Sequence, residues 1–432
     1  MKIGVIGLWH LGGVVSAGLC ELGHTVFGVD EDERAVASFQ NGTPLVSEPG
    51  LSELITKRLS GGQLFFSTNF SAIRDCDAVF LTYDTPVTDQ DEPDTGVLFD
   101  AVKNIAPRIK EDALLVVMSQ VSVGVTRELA ETIRDANQSW EGEAVYFPEN
   151  LQLGKAVERF LSPDRLVVGA DTESASAAME SIITAIACPR LVMSVASAEM
   201  SKHALNAFLS TSLSFTYVIS DLCEAVGADV HEVMAALKAD SRIGQQAYLD
   251  TGIGFSGGTL MRDLRSLSQL GQMAGQKMAI IDAVIQTNLN RRDRIIERVE
   301  EMLGLPLAES RVGVLGVTYK PGTPTVRRSL SLELIAKLKA QGSEVVAHDP
   351  GADRSAYEEA VGEKLYDDLY AMATGCHGII LVTALPEFEA IDFSGLKSRM
   401  HPPYLFLDSR NVFRNKEAVI RNMGIKYQGL GR

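Results

Sequence analysis

Met1-Lys2-Ile3-Gly4-Val5-Ile6-Gly7-Leu8-Trp9-His10-Leu11-Gly12-Gly13 opens the chain, and Thr25-Val26-Phe27-Gly28-Val29-Asp30 follows a turn at Gly23-His24. The apolar run into Gly7 predicts a buried strand over 1–6. The segment 11–22 then reads as a helix and 25–29 as the next strand, a β-α-β unit of a parallel sheet. Such a unit binds a dinucleotide when a tight glycine turn opens the helix, so that backbone N–H groups and the helix dipole meet the pyrophosphate. Gly7-Leu8-Trp9-His10-Leu11-Gly12 has the first and last glycines of that turn, but Trp9 fills the middle place, where glycine normally lets the backbone approach the phosphates. Asp30 ends the second strand, 18 residues past Gly12, where an acid bonds the ribose hydroxyls and repels a 2′-phosphate. Gly7 and Gly12 could also serve only to shape a strand–helix turn. The order strand, turn, helix, strand, acid favours a cofactor site, and it favours NAD over NADP. Trp9 either swings outward or reshapes the pocket.

The β-α rhythm continues through the first ~190 residues, with apolar runs at 78–81 and 114–118. From 197 to 303 the β signal fades. The segments 199–226 and 262–303 read as long helices separated by a glycine-rich loop at 251–258. Strands return at 311–316, 344–347, 378–383 and 404–408, with a helix over 331–340. The expected architecture is α/β: two Rossmann-like, doubly wound parallel-sheet domains (1–195 and 304–432) joined by a central helical dimerisation segment (196–303). No repeat is visible in the sequence, although the two α/β halves could be similar in structure.

Composition narrows the function. Asp and Glu number 56 against 40 Lys and Arg, a formal charge of −16, which argues against nucleic acid or an anionic membrane as partner. No apolar run approaches the length of a membrane span. The N-terminus reads as a buried strand and not as a signal peptide. The five cysteines (Cys20, Cys76, Cys188, Cys223, Cys376) are scattered without metal or C-x-x-C spacing, which points to a reducing, cytoplasmic setting with no metal site.

Four further segments carry a more specific signal. They are Phe147-Pro148-Glu149-Asn150-Leu151-Gln152-Leu153-Gly154-Lys155-Ala156, followed by Ser162-Pro163-Asp164-Arg165; Ala198-Glu199-Met200-Ser201-Lys202-His203-Ala204-Leu205-Asn206; Gly254-Phe255-Ser256-Gly257-Gly258-Thr259-Leu260-Met261-Arg262-Asp263; and Gly316-Val317-Thr318-Tyr319-Lys320-Pro321-Gly322-Thr323 with Arg327, Ser329, His348-Asp349-Pro350 and Asp408-Ser409-Arg410-Asn411. In order and spacing they resemble the UDP-glucose/GDP-mannose dehydrogenase family, over nearly the whole chain. The resemblance implies an N-terminal NAD domain, a central helical segment that makes a homodimer, and a C-terminal domain that grips a nucleotide sugar. Family members oxidise the sugar C6 alcohol to a carboxylate in two hydride transfers, using NAD and one cysteine and no metal.

By that resemblance Lys202 and Asn206, four apart on one helix face, hold the oxygen undergoing oxidation, and Asp263 orients them. A lysine ammonium suits a developing alkoxide; with a depressed pKa it would serve as base instead. Taken without the resemblance, the same pair reads as an ordinary amphipathic helix with a solvated lysine. Gly7, Trp9, His10, Leu11, Gly12, Asp30, Thr85 and Gln120 form the expected cofactor set. Glu149, Leu151, Lys202, Asn206, Arg242, Tyr248, Gly252, Gly254, Gly257, Lys320 and Arg410 form the expected substrate set, with Arg242 entering the neighbouring subunit's site.

The family's cysteine directly follows the glycine pair, and here that place is Thr259. An aliphatic hydroxyl is hardly ionised at neutral pH, whereas a thiol with a pKa of about 8.5 is partly so. Other places have changed around the same step. Gln120 stands for a threonine, Leu153 for a second glutamate, Arg262 for a lysine, and Tyr217-Val218 for an Asn-Glu pair. The groups serving alcohol oxidation survive while those serving thioester formation and hydrolysis are altered. The expectation is therefore a two-electron oxidation of a nucleotide sugar to its aldehyde, with Thr259 and Glu149 counted among the catalytic residues. The alternatives are a full four-electron UDP-glucose 6-dehydrogenase that works without cysteine, through the aldehyde hydrate, and a non-catalytic protein that binds the same ligand.

Overall fold

The computed structural model describes residues 1–85, 94–149 and 151–432. They pack into two compact units, Met1–Leu205 and Asn206–Arg432.

The first unit is built on eight strands: β1 (Lys2–Ile6), β2 (Thr25–Val29), β3 (Leu64–Ser67), β4 (Ala78–Leu81), β5 (Leu114–Val117), β6 (Ala144–Tyr146), β7 (Leu166–Ala170) and β8 (Arg190–Met193). Their order is β3-β2-β1-β4-β5-β6-β7-β8. β1 pairs in parallel with both β2 and β4, so the winding reverses beside β1. In such sheets the crevice at the strand C-termini next to that reversal is where ligands bind. Alternate residues feed opposite faces. Ile3, Val5, Phe80 and Val116 enter one core, while Ile6, Val79, Leu81, Leu115 and Val117 enter the other. Burial on both sides explains why these strands read as continuous apolar runs.

One pairing departs from the expected parallel sheet: β6 and β7 run antiparallel. Among its described residues the connection 147–165 holds one six-residue helix, Ala156–Leu161. At 19 residues it is long enough for a parallel crossover, which would carry the chain across a sheet face. This connection instead returns on the edge where β6 ends, and that keeps the Glu149 segment at the strand C-termini.

The second unit carries a five-stranded, fully parallel sheet: β9 (Arg311–Leu315), β10 (Glu344–His348), β11 (Gly378–Leu381), β12 (Leu405–Asp408) and β13 (Lys426–Gly429), ordered β10-β9-β11-β12-β13. Its opening repeats the first unit's. Gly7 N–H bonds Val29 O at 3.0 Å and Leu8 N–H bonds Asp30 Oδ2 at 2.6 Å. Correspondingly, Gly316 N–H bonds His348 O at 3.0 Å and Val317 N–H bonds Asp349 Oδ2 at 2.8 Å. The two halves share one backbone device, and its strands match in sequence too, Lys2-Ile3-Gly4-Val5-Ile6-Gly7 against Arg311-Val312-Gly313-Val314-Leu315-Gly316. They differ in their acids. Asp349 is sealed and also accepts from Thr318 and Gly351, whereas Asp30 keeps partial exposure.

The expected long helix at 199–226 spans Val195–Val226. The expected helix over 262–303 is two helices, Arg262–Met273 and Ala279–Leu303. The break falls at Gly275, whose φ of +68° suits a residue without Cβ.

Candidate active site

At the first unit's ligand edge the glycine turn has the geometry its sequence predicts. Gly7 has φ +97°, and a Cβ there would lie 2.9 Å from the Tyr83 ring. A Cβ on Gly12 would lie 1.8 Å from Gly7 O, so only glycine lets the helix pack this closely. Helix His10–Glu21 has no side-chain cap and no acid in its first turn. Its leading N–H groups and the positive end of its dipole therefore suit a pyrophosphate. Trp9 stands just before this helix and is 52% exposed, which answers the question of its direction: the indole lies outward. Asp30 Oδ2 holds the Leu8 N–H and Oδ1 the Asp32 N–H, leaving acceptor capacity for ribose hydroxyls. These residues fit NAD. Leu11 is core, while His10 Nε2 lies 2.8 Å from Glu48 Oε1. Thr85 donates its hydroxyl to Gln120 O at 2.7 Å, joining two of the expected residues in one buried contact.

Lys202 is 8% exposed and donates to Glu149 O at 2.6 Å, with Glu149 Oε1 at 3.4 Å. It is not a solvated surface lysine. Glu149 Oε2 in turn accepts the Leu151 N–H at 2.6 Å. Asn150 lies outside the described residues. The helix bearing Lys202 is anchored by Glu199, which is fully buried and accepts the Gly124 and Thr126 N–H groups at 2.7 and 3.0 Å. That carboxylate caps helix Val125–Ala136, to which Gly124 is the left-handed N-cap.

In the second unit Asn206 Nδ2 donates to Asp263 Oδ2 through a short bond, and Asp263 is completely buried. Thr259 is exposed on a π-helical turn, Gly257–Met261, which leads directly into helix Arg262–Met273. Arg328, a non-glycine residue with φ +59°, brings its side chain to within 3.8 Å of where a Gly258 Cβ would lie. The preceding loop is clamped by helix Ala279–Leu303. Asn288 exchanges two 2.8 Å bonds with the Phe255 backbone, and Arg291 Nε bonds Gly252 O at 2.8 Å. Gly254 has φ +121°, and a Cβ there would meet Asn288 Oδ1 and Arg292 Nη1 below 3 Å. Arg410 lies against Gly252, 3.2 Å from the place of its absent Cβ. The Arg291 guanidinium sits 5.2 Å from the Tyr217 ring. Burial pushes the Tyr217 and Tyr248 hydroxyls upward, so both stay protonated donors at neutral pH. Lys320 lies half-buried in the loop after β9. Arg242 is 87% exposed and forks onto Asp240 two residues away.

The sequence reading missed Tyr83, Glu48, Asn288 and Arg291, each of which acts on a partner far away in the chain and sits in no local motif. Glu199 lay within the quoted 198–206 segment but was given no role. None of the five cysteines lies in the 251–263 segment that carries Thr259. Burial drives Cys20 and Cys76 up to about 12 and Cys376 to about 11, and Cys223 is buried. Among the described residues no group of three or more His, Cys, Asp or Glu could hold a metal, and no helix is long and apolar enough to cross a membrane.

A dinucleotide turn ending a doubly wound sheet, with a buried lysine and carboxylate near its edge, defines an oxidoreductase of the nicotinamide type. Comparison with known proteins narrows this. Residues 1–187 match the NAD binding domain of the UDP-glucose/GDP-mannose dehydrogenase family, 196–290 its central domain and 313–415 its UDP binding domain. The chain is 32% identical to UDP-glucose 6-dehydrogenase TuaD of Bacillus subtilis, covering 100% of this chain and 93% of that protein. It is 31% identical to UDP-glucose 6-dehydrogenase of Rhizobium meliloti, covering 100% of both. A UDP-glucose dehydrogenase structure from Pyrobaculum islandicum superposes with a TM-score of 0.88 at 31% identity, over 99% of this chain and 97% of that one. The fold is shared as well by UDP-D-ManNAc dehydrogenase from Pyrococcus horikoshii, with TM-score 0.89 at 21% identity over 100% and 99% of the chains. The chain belongs to the UDP-glucose/GDP-mannose dehydrogenase family and is an NAD-dependent nucleotide-sugar dehydrogenase.

Proposed function

We propose that this enzyme oxidises the C6 primary alcohol of a nucleotide sugar, UDP-glucose or a relative, and releases the aldehyde. NAD, when bound, accepts the hydride. The reaction is R–CH2OH + NAD+ → R–CHO + NADH + H+. Lys202 steadies the sugar oxygen as its proton leaves, and its own hydrogen bonds to Glu149 fix the ammonium in place. Asn206 lies one turn further along the same helix, and the buried Asp263 carboxylate sets its orientation. The cofactor is held by the Gly7–Gly12 turn, Asp30, Thr85 and Gln120. Lys320 and Arg410 hold the diphosphate, while Tyr248, Gly252, Gly254 and Gly257 wrap the sugar. Leu151 lines the sugar beside Glu149. Arg242 reaches the site of a second subunit.

The observation that carries the two-electron reading is Thr259. It is an exposed hydroxyl in the place of the family's thiolate, in a chain where burial holds the Cys20, Cys76 and Cys376 thiols protonated. Counting NADH against UDP-glucose consumed, with hydroxylamine to trap aldehyde for mass spectrometry, tests it. One NADH per sugar and an oxime are expected; two NADH and a carboxylate refute it.

A second reading has its own support. The relatives at about 30% identity are named UDP-glucose 6-dehydrogenases, and Glu149 is a carboxylate beside the lysine that could deprotonate an aldehyde hydrate. The hydrate R–CH(OH)2 would then lose a second hydride and a proton to give the acid, with no covalent enzyme link. The three-part division at 195 and 303, a homodimer and a cytoplasmic setting complete the proposal. The homodimer draws support from the exposed Phe208, Phe215 and Leu222, spaced by seven on one helix.

A further inference from the structure

Glu48 belongs to no catalytic motif, yet its side chain is entirely sealed from solvent. Burying a carboxylate costs several kcal/mol unless donors repay it. Three donors do so here. Oε1 lies 2.8 Å from His10 Nε2 and accepts the Gly154 N–H at 2.8 Å, while Oε2 accepts the Ala156 N–H at 3.1 Å. The donors come from two places. His10 is the first residue of the helix whose N-terminus suits the pyrophosphate, and its side chain still reaches the surface, 17% exposed. Gly154 and Ala156 end the loop that begins at Glu149. Gly154 has φ +84°, a conformation that presents its N–H here and that glycine adopts without strain. At the loop's other end Glu149 receives Lys202 and the Leu151 N–H.

We propose that Glu48 is a positioning residue that joins the cofactor turn to the loop holding Lys202. Occupancy of the cofactor turn thereby stiffens the Glu149 segment and sets the ammonium for the sugar oxygen. The inference rests on the proposed role of Lys202 and Glu149. A carboxylate that merely capped the short helix Ala156–Leu161 would hold the loop equally well with the cofactor turn empty.

Hydrogen–deuterium exchange separates the two roles without using activity. In the wild type, saturating NADH slows exchange of the 151–161 peptide by about threefold or more, because its amides are tied to the occupied turn. In Glu48→Gln, which keeps the volume but loses the second acceptor oxygen, that response disappears. His10→Phe cuts the link from the cofactor side, leaves the loop's own bonds in place, and also abolishes the response; it stands in should Glu48→Gln not fold. With UDP-glucose as probe, Glu48→Gln lowers kcat by about tenfold or more while KM changes less than about threefold, as loss of positioning predicts. A wild-type loop indifferent to NADH, or a response that persists in either variant, overturns the inference. A wild-type enzyme that forms no NADH from any UDP-sugar would instead refute the proposed function, and the exchange result would still decide Glu48.

Discussion

In the proposed reaction, position 259 separates two chemistries by one atom type. A threonine hydroxyl can hydrogen-bond a carbonyl, but at neutral pH it does not add to an aldehyde as a thiolate does. Thr259→Cys restores a sulfur nucleophile on the same π-helical turn, and NADH per UDP-glucose is expected to rise from one toward two. A ratio unchanged in a folded Thr259→Cys enzyme would mean that the altered Gln120 and Leu153 positions also block the second step. Lys202 is the opposite case, since it is retained and buried. Lys202→Met keeps the unbranched shape, one atom shorter, and removes the charge. Its expected cost is about 10²–10³ in kcat with NADH binding unchanged, the size of losing one preorganised donor to a developing oxyanion. Steady-state kinetics beside a fluorescence titration of NADH would detect the split.

At the scale of elements, the loop 251–256, proposed to wrap the sugar, owes its shape to a helix that follows it in the chain. The exchange of bonds between Asn288 and the Phe255 backbone spans 33 residues. It satisfies a buried N–H and a buried C=O that would otherwise cost about 1–3 kcal/mol each. Asn288→Ala is therefore expected to lower stability by about 2 kcal/mol and to raise KM for the sugar nucleotide more than that for NAD. Equal rises in both KM values would remove the loop from the substrate site. The glycine turn of the first unit was legible because every part lies within 30 residues: Gly7 and Gly12 for the close packing, Asp30 for the strand end. The clamp on the second loop was not legible, because Asn288 and Arg291 sit in an ordinary helical pattern and gain meaning only from what folds against them. The break at Gly275 left a readable glycine, but uninterrupted helical periodicity on both sides concealed it.

For the molecule as a whole, the seven-residue spacing of Phe208, Phe215 and Leu222 leaves a helix face apolar and exposed in the single chain, with Val218 and Val226 beside it. Isolated exposed hydrophobics are ordinary, whereas a row at helical spacing is the kind of face the proposed homodimer would cover. Leu222→Lys, together with Phe215→Lys, is expected to shift the protein from dimer to monomer in light scattering. A wild type already monomeric at micromolar concentration would dispose of the idea. The formal charge of −16 keeps the rest of the surface repulsive between copies.

The order of apolar runs and turns by itself determined the two α/β halves, the glycine turn and the aspartate that ends the second strand, because each is written in local periodicity or short spacing; the changed residues stood out only through the family resemblance. Only the tertiary structure decided that Trp9 faces outward, that β7 turns back against β6, that Lys202 is buried against Glu149, and that Glu48 and Asn288 clamp loops in distant sequence. Those outcomes depend on which buried donors find acceptors across tens of residues. That matching is settled when the elements pack, and no local pattern in the chain records it.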